Sequence, residues 1–177
     1  PEELCRAFLL TRLVNELGYA PNRIEIEHEY TAGRPHTITS RIDIIVRDGN
    51  GDAFLFIEVK NQDEYAIIDK DSVIEEQLFK LAGMERAEGH DVKYLILYTT
   101  NDATGKISDE CIIIDNKKFP TFSDWEASRD YTNTIPARYG KAQKTPYVKA
   151  TAKDLETDFT NDMLNQLQSN LHNVLWG

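Results

Sequence analysis

The chain has 177 residues, 41% of them hydrophobic, and a formal net charge of −10. That length supports one domain with a sizeable core plus an extension, and the hydrophobic fraction excludes a disordered chain. The longest apolar run falls far short of the ~20 residues of a membrane-spanning helix, so no membrane is expected among the partners.

Glu3 to Leu17 reads as a helix: Leu10, Leu13, Val14 and Leu17 recur at three- and four-residue intervals, and Gly18 ends it. Ile24 to Tyr30 alternates apolar and charged residues, the pattern of a half-buried strand. After the break at Gly33-Arg34-Pro35, Thr37 to Arg47 and Ala53 to Lys60 read as two more strands, joined by the hairpin turn Asp48-Gly49-Asn50-Gly51. Asp71 to Glu88 carries a helical stripe of Val73, Leu78, Leu81, Ala82 and Met84. Val92 to Thr100 and Glu110 to Asp115 are apolar strands. The order of these elements predicts an α/β sandwich, a mixed sheet flanked by helices. Thr121 to Lys153 is polar and is expected as loop or extended chain on the surface. Asp154 to Trp176 has apolar residues at mostly four-residue spacing and is expected as a helix. The expected organisation is therefore a core over 1–120, a polar and basic extension over 121–153, and a helix over 154–177 leading into a further domain. A start at Pro1 and an end on Leu171 to Gly177 fit a piece of a longer protein.

Cys5 and Cys111 lack the paired spacing of a zinc site and are expected as reduced core thiols of a cytoplasmic chain. His28, His36, His90 and His172 show no metal-ligand spacing. The acidic total weighs against nucleic-acid binding, but charge is unevenly spread. Tyr131 to Lys153 contains no acid and includes Lys141 and Lys144, so it is either a phosphate-contacting surface or a solvated linker. Arg34, Arg41 and Lys93 are the other candidates for phosphate contact.

The chemistry-bearing pattern lies on two neighbouring strands. Side chains alternate between the faces of a strand, so Phe54, Phe56, Glu58 and Lys60 are expected on one face and Leu55, Ile57 and Val59 on the other. A strand that begins apolar on both faces is buried on both, and ending it with a glutamate and a lysine is costly unless the charges find partners. If 48–51 form the loop, Arg47 pairs with Asp52 and Asp43 with Phe56. Glu58 then lies diagonal to Asp43, about 7–8 Å away between α-carbons. Asp43 interrupts the run Ile42, Ile44, Ile45, Val46 and would be a buried anion in need of a counter-charge. An all-oxygen donor set suits Mg²⁺, with Mn²⁺ as a substitute, and the carbonyl of Val59 could supply another ligand. Such an ion polarises a phosphate and acidifies water, and Lys60 could stabilise charge on the phosphate or hold the attacking water. An Asp43–Arg41 ion pair beside an ordinary Glu58–Lys60 pair is the bland alternative.

Arg41-Ile42-Asp43 through Ile57-Glu58-Val59-Lys60 resembles the PD-(D/E)xK nuclease signature, with Ile42 where the family name has proline. Pro1 to Arg6, Leu17-Gly18-Tyr19, Gln77 and Tyr94 to Asn101 resemble the N-terminal nuclease domain of type I restriction enzyme R subunits and their fused relatives. This resemblance covers roughly residues 1–115. It implies a restriction-endonuclease-like core and a Mg²⁺-dependent DNA endonuclease of a restriction–modification system. Double-stranded DNA and other domains or subunits of the complex would be its partners. It also implies that Asp43 and Glu58 bind metal, that Lys60 is catalytic, and that an acid on the first helix completes the metal shell. Glu3 is expected there rather than Glu2, because Glu3 shares a helical face with Leu10, Leu13 and Leu17. Gln77 would begin a Gln-x-x-x-Tyr motif near the active site, with Leu81 standing where the family has tyrosine. The segment from Asp154 to Gly177 resembles the lead into an adenine methyltransferase module, which would couple cutting to methylation. A domain of the same fold that only docks DNA or subunits, or a junction resolvase or repair nuclease, are the competing readings.

Overall fold

The computed structural model of the chain describes residues 2–32, 38–102 and 107–144. Helix α1 (Glu2–Asn15) opens the domain, and a single 3-10 turn (Pro21–Arg23) leads into strand β1 (Ile24–Ala32). Strands β2 (Ile38–Arg47) and β3 (Ala53–Val59) follow as a hairpin. A short helix, α2 (Gln62–Ile67), starts on Asn61, whose side chain accepts from the Glu64 N–H. Then α3 (Lys70–Val73), a π-helical stretch (Ile74–Phe79) and α4 (Lys80–Ala87) run on without a break, since the joining residues keep right-handed helical dihedrals. Strands β4 (Val92–Asn101) and β5 (Ser108–Asp115) complete the sheet, and α5 (Phe122–Ser128) follows.

The five strands lie in chain order, β1-β2-β3-β4-β5. Only β3 and β4 are parallel; the other neighbours are antiparallel. The parallel pair needs a crossover, and the helices from α2 to α4 provide it. This is the expected mixed sheet flanked by helices, an α/β restriction-endonuclease-like architecture. Two apolar cores sandwich the sheet. One joins Ile42, Ile45, Phe56, Leu95 and Leu97 to Ile74, Leu78 and Leu81 of the crossover. The other joins Ile44, Val46, Leu55, Ile57 and Ile96 to Cys5, Leu9 and Leu13 of α1. Every residue of β3 is buried, so this strand is the double-sided centre that its apolar run implied.

The hairpin register departs from expectation. Val46 pairs with Leu55 and Arg47 with Ala53, leaving Phe54 as an extra residue in a β-bulge. The turn itself takes five residues, because the Asp48 carboxylate accepts the N–H groups of Asn50 and Asp52, with Gly51 at φ +91°. Lengthening the turn by one residue and bulging by one more shifts the pairing by two, which preserves side-chain parity. Ile44 therefore pairs with Ile57, and the same register carries Asp43 level with Glu58 rather than with Phe56. The bulge also turns Phe54 to the α1 side, where it packs among Tyr19, Tyr94 and Tyr139.

The segment after Phe119, expected as loop or extended chain, is built into the domain as far as it is described. Thr121 caps α5, and Trp125 and Ile135 are buried. Bridges from Thr132 to Ile113 and from Thr134 to Gln143 tie the segment to the sheet and to itself. The expected helix over 154–177 and the remainder of the basic segment lie outside the described residues. Among the described residues, no helix is long and apolar enough to cross a membrane.

Candidate active site

Three charged groups meet at the C-terminal end of β3: Asp43 from the middle of β2, Glu58 from β3 and Lys60 just beyond it. Asp43 and Glu58 are buried, at 6% and 5% exposure. The Asp43 carboxylate is held from two sides: Val59 N–H donates to Oδ2 at 2.8 Å, and Arg6 Nη2 donates to Oδ1 at 2.8 Å. Lys60 Nζ donates to Glu58 Oε1 at 2.6 Å, while Lys60 N–H bonds the Tyr98 carbonyl at 2.9 Å and fixes the strand end against β4. Asp43 is thus paired with Arg6, not with Arg41, whose guanidinium lies 3.3 Å from Glu27.

Glu58 carries the electrostatic stress of the site. Burial, and then the charge of Asp43, push its carboxyl up to about 7, although Lys60 pulls it the other way. Its second oxygen, Oε2, is buried with no protein partner. Burial alone would lower the Lys60 ammonium, but Glu58 and then Asp43 hold it above its ordinary value. A buried carboxylate oxygen left bare beside another buried carboxylate is a poor arrangement for stability and a good one for a hard cation. The donor set of Asp43 and Glu58 fits such an ion, and no histidine or cysteine belongs to it.

Of the two acids that open α1, Glu2 rather than the expected Glu3 bears on Glu58 and Lys60. The buried face of α1 runs through Cys5, Arg6, Leu9 and Leu13, one position away from the Leu10–Leu13–Leu17 stripe. That rotation brings Glu2 onto the site, where its charge acts on both Glu58 and Lys60. The Glu3 side chain is 76% exposed and engages Arg6 from outside. Glu27 also borders Asp43. It sits at φ +56° in the middle of β1, and the β1–β2 ladder skips the Glu27–Asp43 pair between Ile26–Ile44 and His28–Ile42. A non-glycine residue in this region costs on the order of 1–3 kcal/mol and persists only where its surroundings hold it.

Gln77 lies on the π-helical stretch, between the core residues Ile74 and Leu78, with its Oε1 buried and unpartnered. Leu81, where the family pattern has tyrosine, is a core residue. The expected phosphate-contacting residues are scattered. Arg41 is on β2 near the site and is half exposed. Lys141 lines a cleft of about 310 Å³ with Lys93, Lys118 and Tyr94. Lys144 lies over the Tyr131 ring. This cleft is at the start of β4, the opposite end of the sheet from Glu58 and Lys60, ~20 Å away by strand rise. Arg34 lies outside the described residues.

Arg6 escaped the sequence reading, although one signal was available. It interrupts the apolar face of α1 as Asp43 interrupts that of β2, and a buried charge in each implies the other. The structure also gathers His28, Glu85 and Glu88 closely enough to hold an ion. There, however, Tyr30 bonds one oxygen of the buried Glu85 and Arg47 Nη1 bonds the other at 2.5 Å, so the group is already neutralised as an ion-pair network.

Residues 1–85 match the family described as Type I restriction enzyme R protein N terminus. The matched stretch runs from α1 into α4 and contains Asp43, Glu58, Lys60 and Gln77, so over this stretch the chain resembles the type I R-subunit N-terminal domain. No curated protein matches the chain.

Proposed function

We propose that this domain is a metal-dependent endonuclease that hydrolyses phosphodiester bonds of double-stranded DNA within a restriction–modification system, working beside other domains or subunits in the cytoplasm. The observation that carries the reading is the convergence of buried Asp43 and Glu58, with Glu58 Oε2 unpartnered, next to Lys60. The match of residues 1–85 to the R-protein N-terminal family supports the same conclusion.

Asp43 and Glu58 would hold Mg²⁺, or Mn²⁺ in its place, with the Val59 carbonyl and an acid of α1 completing the shell; the geometry favours Glu2 in that position over Glu3. The ion supplies Lewis-acid polarisation of the scissile phosphate and acidifies water at the site. Val59 N–H and Arg6 orient the Asp43 carboxylate before substrate arrives. Lys60, released from Glu58 Oε1, donates to a phosphate oxygen as negative charge grows there, or holds the attacking water in line. Gln77 Oε1 can accept from that water. The water oxygen would bond to phosphorus as the opposite ester bond breaks, the water giving up its proton to bulk solvent and the leaving alkoxide taking one from solvent water. Arg41 lies close enough to the site to bind a neighbouring phosphate; Lys141 and Lys144 would touch DNA only well away from the cut.

A domain that merely docks DNA would have no use for a buried, unsatisfied Glu58. Keeping that group ionised at neutral pH costs about 3 kcal/mol for a carboxyl pushed up to about 7. Plasmid nicking tests the assignment, with Mg²⁺, Mn²⁺, Ca²⁺ and EDTA compared across wild type, Asp43→Ala and Lys60→Ala. Cutting is expected with Mg²⁺ and Mn²⁺, with rates in both variants lower by about 10²–10³. Variants that cut as fast as wild type would remove Asp43 and Lys60 from the chemistry.

A further inference from the structure

We infer that Arg6 is a built-in counter-cation of this site: it holds Asp43 and Glu2 when no divalent ion is present, and it competes with such an ion for them. This rests on the reading of Asp43 and Glu58 as metal ligands. Arg6 is 6% exposed, and its guanidinium faces four carboxylates. Nη2 lies 2.8 Å from Asp43 Oδ1 and 3.0 Å from Glu2 Oε1. Nη1 lies 3.0 Å from Glu27 Oε1 and 3.1 Å from Glu3 Oε1. Among the described ion pairs, Asp43 and Glu2 have Arg6 as their cation, while Glu58 has Lys60. Two monovalent cations therefore divide between them the carboxylates that one divalent ion would share.

The fork of Arg6 is divided in a way that suits exchange. Its inner nitrogen carries the two acids of the site, and its outer nitrogen carries Glu3 and Glu27, whose side chains are 76% and 41% exposed. Nε is buried and makes no bond, so the guanidinium is held through Nη1 and Nη2. When a divalent ion takes Asp43 and Glu2, Nη2 lets go and Nη1 keeps its two outer partners, so the arginine is never left as an unpaired buried charge. The left-handed backbone at Glu27 stands opposite Asp43, where it brings a second carboxylate onto the outer arm.

Mn²⁺ binding to the 177-residue chain, read from the free-ion EPR signal, tests this directly. Removing a unit positive charge at contact range should tighten binding, and Arg6→Gln is expected to lower the Mn²⁺ dissociation constant at least about fivefold. Its metal-free melting temperature should fall, and its rise on adding Mn²⁺ should exceed that of wild type. Equal or weaker Mn²⁺ binding by folded Arg6→Gln overturns the counter-cation role. If Arg6→Gln does not fold, the wild-type chain gives the answer by arginine side-chain ¹⁵N NMR during a Mg²⁺ titration. The Arg6 signal, identified by its loss in Arg6→Lys, should move toward that of a freely rotating guanidinium; a signal unmoved at saturation overturns the proposal. Failure of the site reading looks different: wild type and Asp43→Asn then bind Mn²⁺ alike, or not at all.

Discussion

Two buried charge clusters among the described residues are finished to different degrees. Around Glu85, which is fully buried, Tyr30 bonds one carboxylate oxygen and Arg47 the other, and Glu25 takes the remaining arm of Arg47 at 2.5 Å and 3.0 Å. Around Glu58, one oxygen meets Lys60 and the other meets nothing in the protein. Both clusters sit against the sheet and both contain arginine and glutamate. The difference lies in saturation: a closed network specifies packing, whereas an acid left bare beside a second acid is set up to receive something.

The sharpest way to break this contrast is at Glu85. Glu85→Ala leaves the Tyr30 hydroxyl buried without its partner and Arg47 with only the partly exposed Glu25 as counter-charge, and should cost about 3 kcal/mol in urea unfolding. The fraction that folds should still bind Mn²⁺ with wild-type affinity. Mn²⁺ binding lost together with stability would make the two clusters one.

Glu58→Gln should move the two quantities in opposite directions. Metal binding should collapse, yet the metal-free protein should gain about 3 kcal/mol above pH 7. The sign follows from a carboxyl held at about 7 in the folded state, above its unfolded value. The folded state then retains its proton more tightly, so the contribution of protonated Glu58 is complete below the unfolded carboxylate range and lost as pH rises toward 7. The advantage of glutamine should therefore vanish near pH 4, grow with pH and level off above about 7. Urea unfolding in EDTA across that range checks it, and a pH-independent difference between the two proteins would place Glu58 in an ordinary solvated setting.

The smallest effect separates neighbours on α1. Glu2→Gln should weaken Mn²⁺ binding several-fold, about 1 kcal/mol, whereas Glu3→Gln should change it by less than about twofold. A larger loss at Glu3 would restore the face of α1 expected from Leu10, Leu13 and Leu17.

Asp43 and Glu58 were legible because each breaks an apolar run, and a charge that cannot escape burial announces its need for a partner. The hairpin was legible from Asp48 to Gly51. The side-chain parity across it survived, although the register did not: a five-residue turn and a bulge at Phe54 each added one residue. Glu2 was passed over because helical periodicity alone does not say which of two overlapping stripes is buried deepest: Leu9 is fully buried, while Leu10 and Leu17 pack only partly buried at the margin of the same core. Trp125 and Ile135 were missed because single apolar residues in a polar stretch carry no period.

The sequence by itself determined the first helix, the five strands, the crossover helix, the hairpin and the residue types of the site, but not α2 or α5, because periodicity, turn chemistry and the cost of burying charge act locally along the chain. Only the tertiary structure decided which partner each charge received. It set Arg6 on Asp43, brought Glu2 toward Glu58 and Lys60, and moved Lys141 to the far end of the sheet. Those pairings depend on register, helix rotation and strand order, which are set by packing between segments distant in sequence.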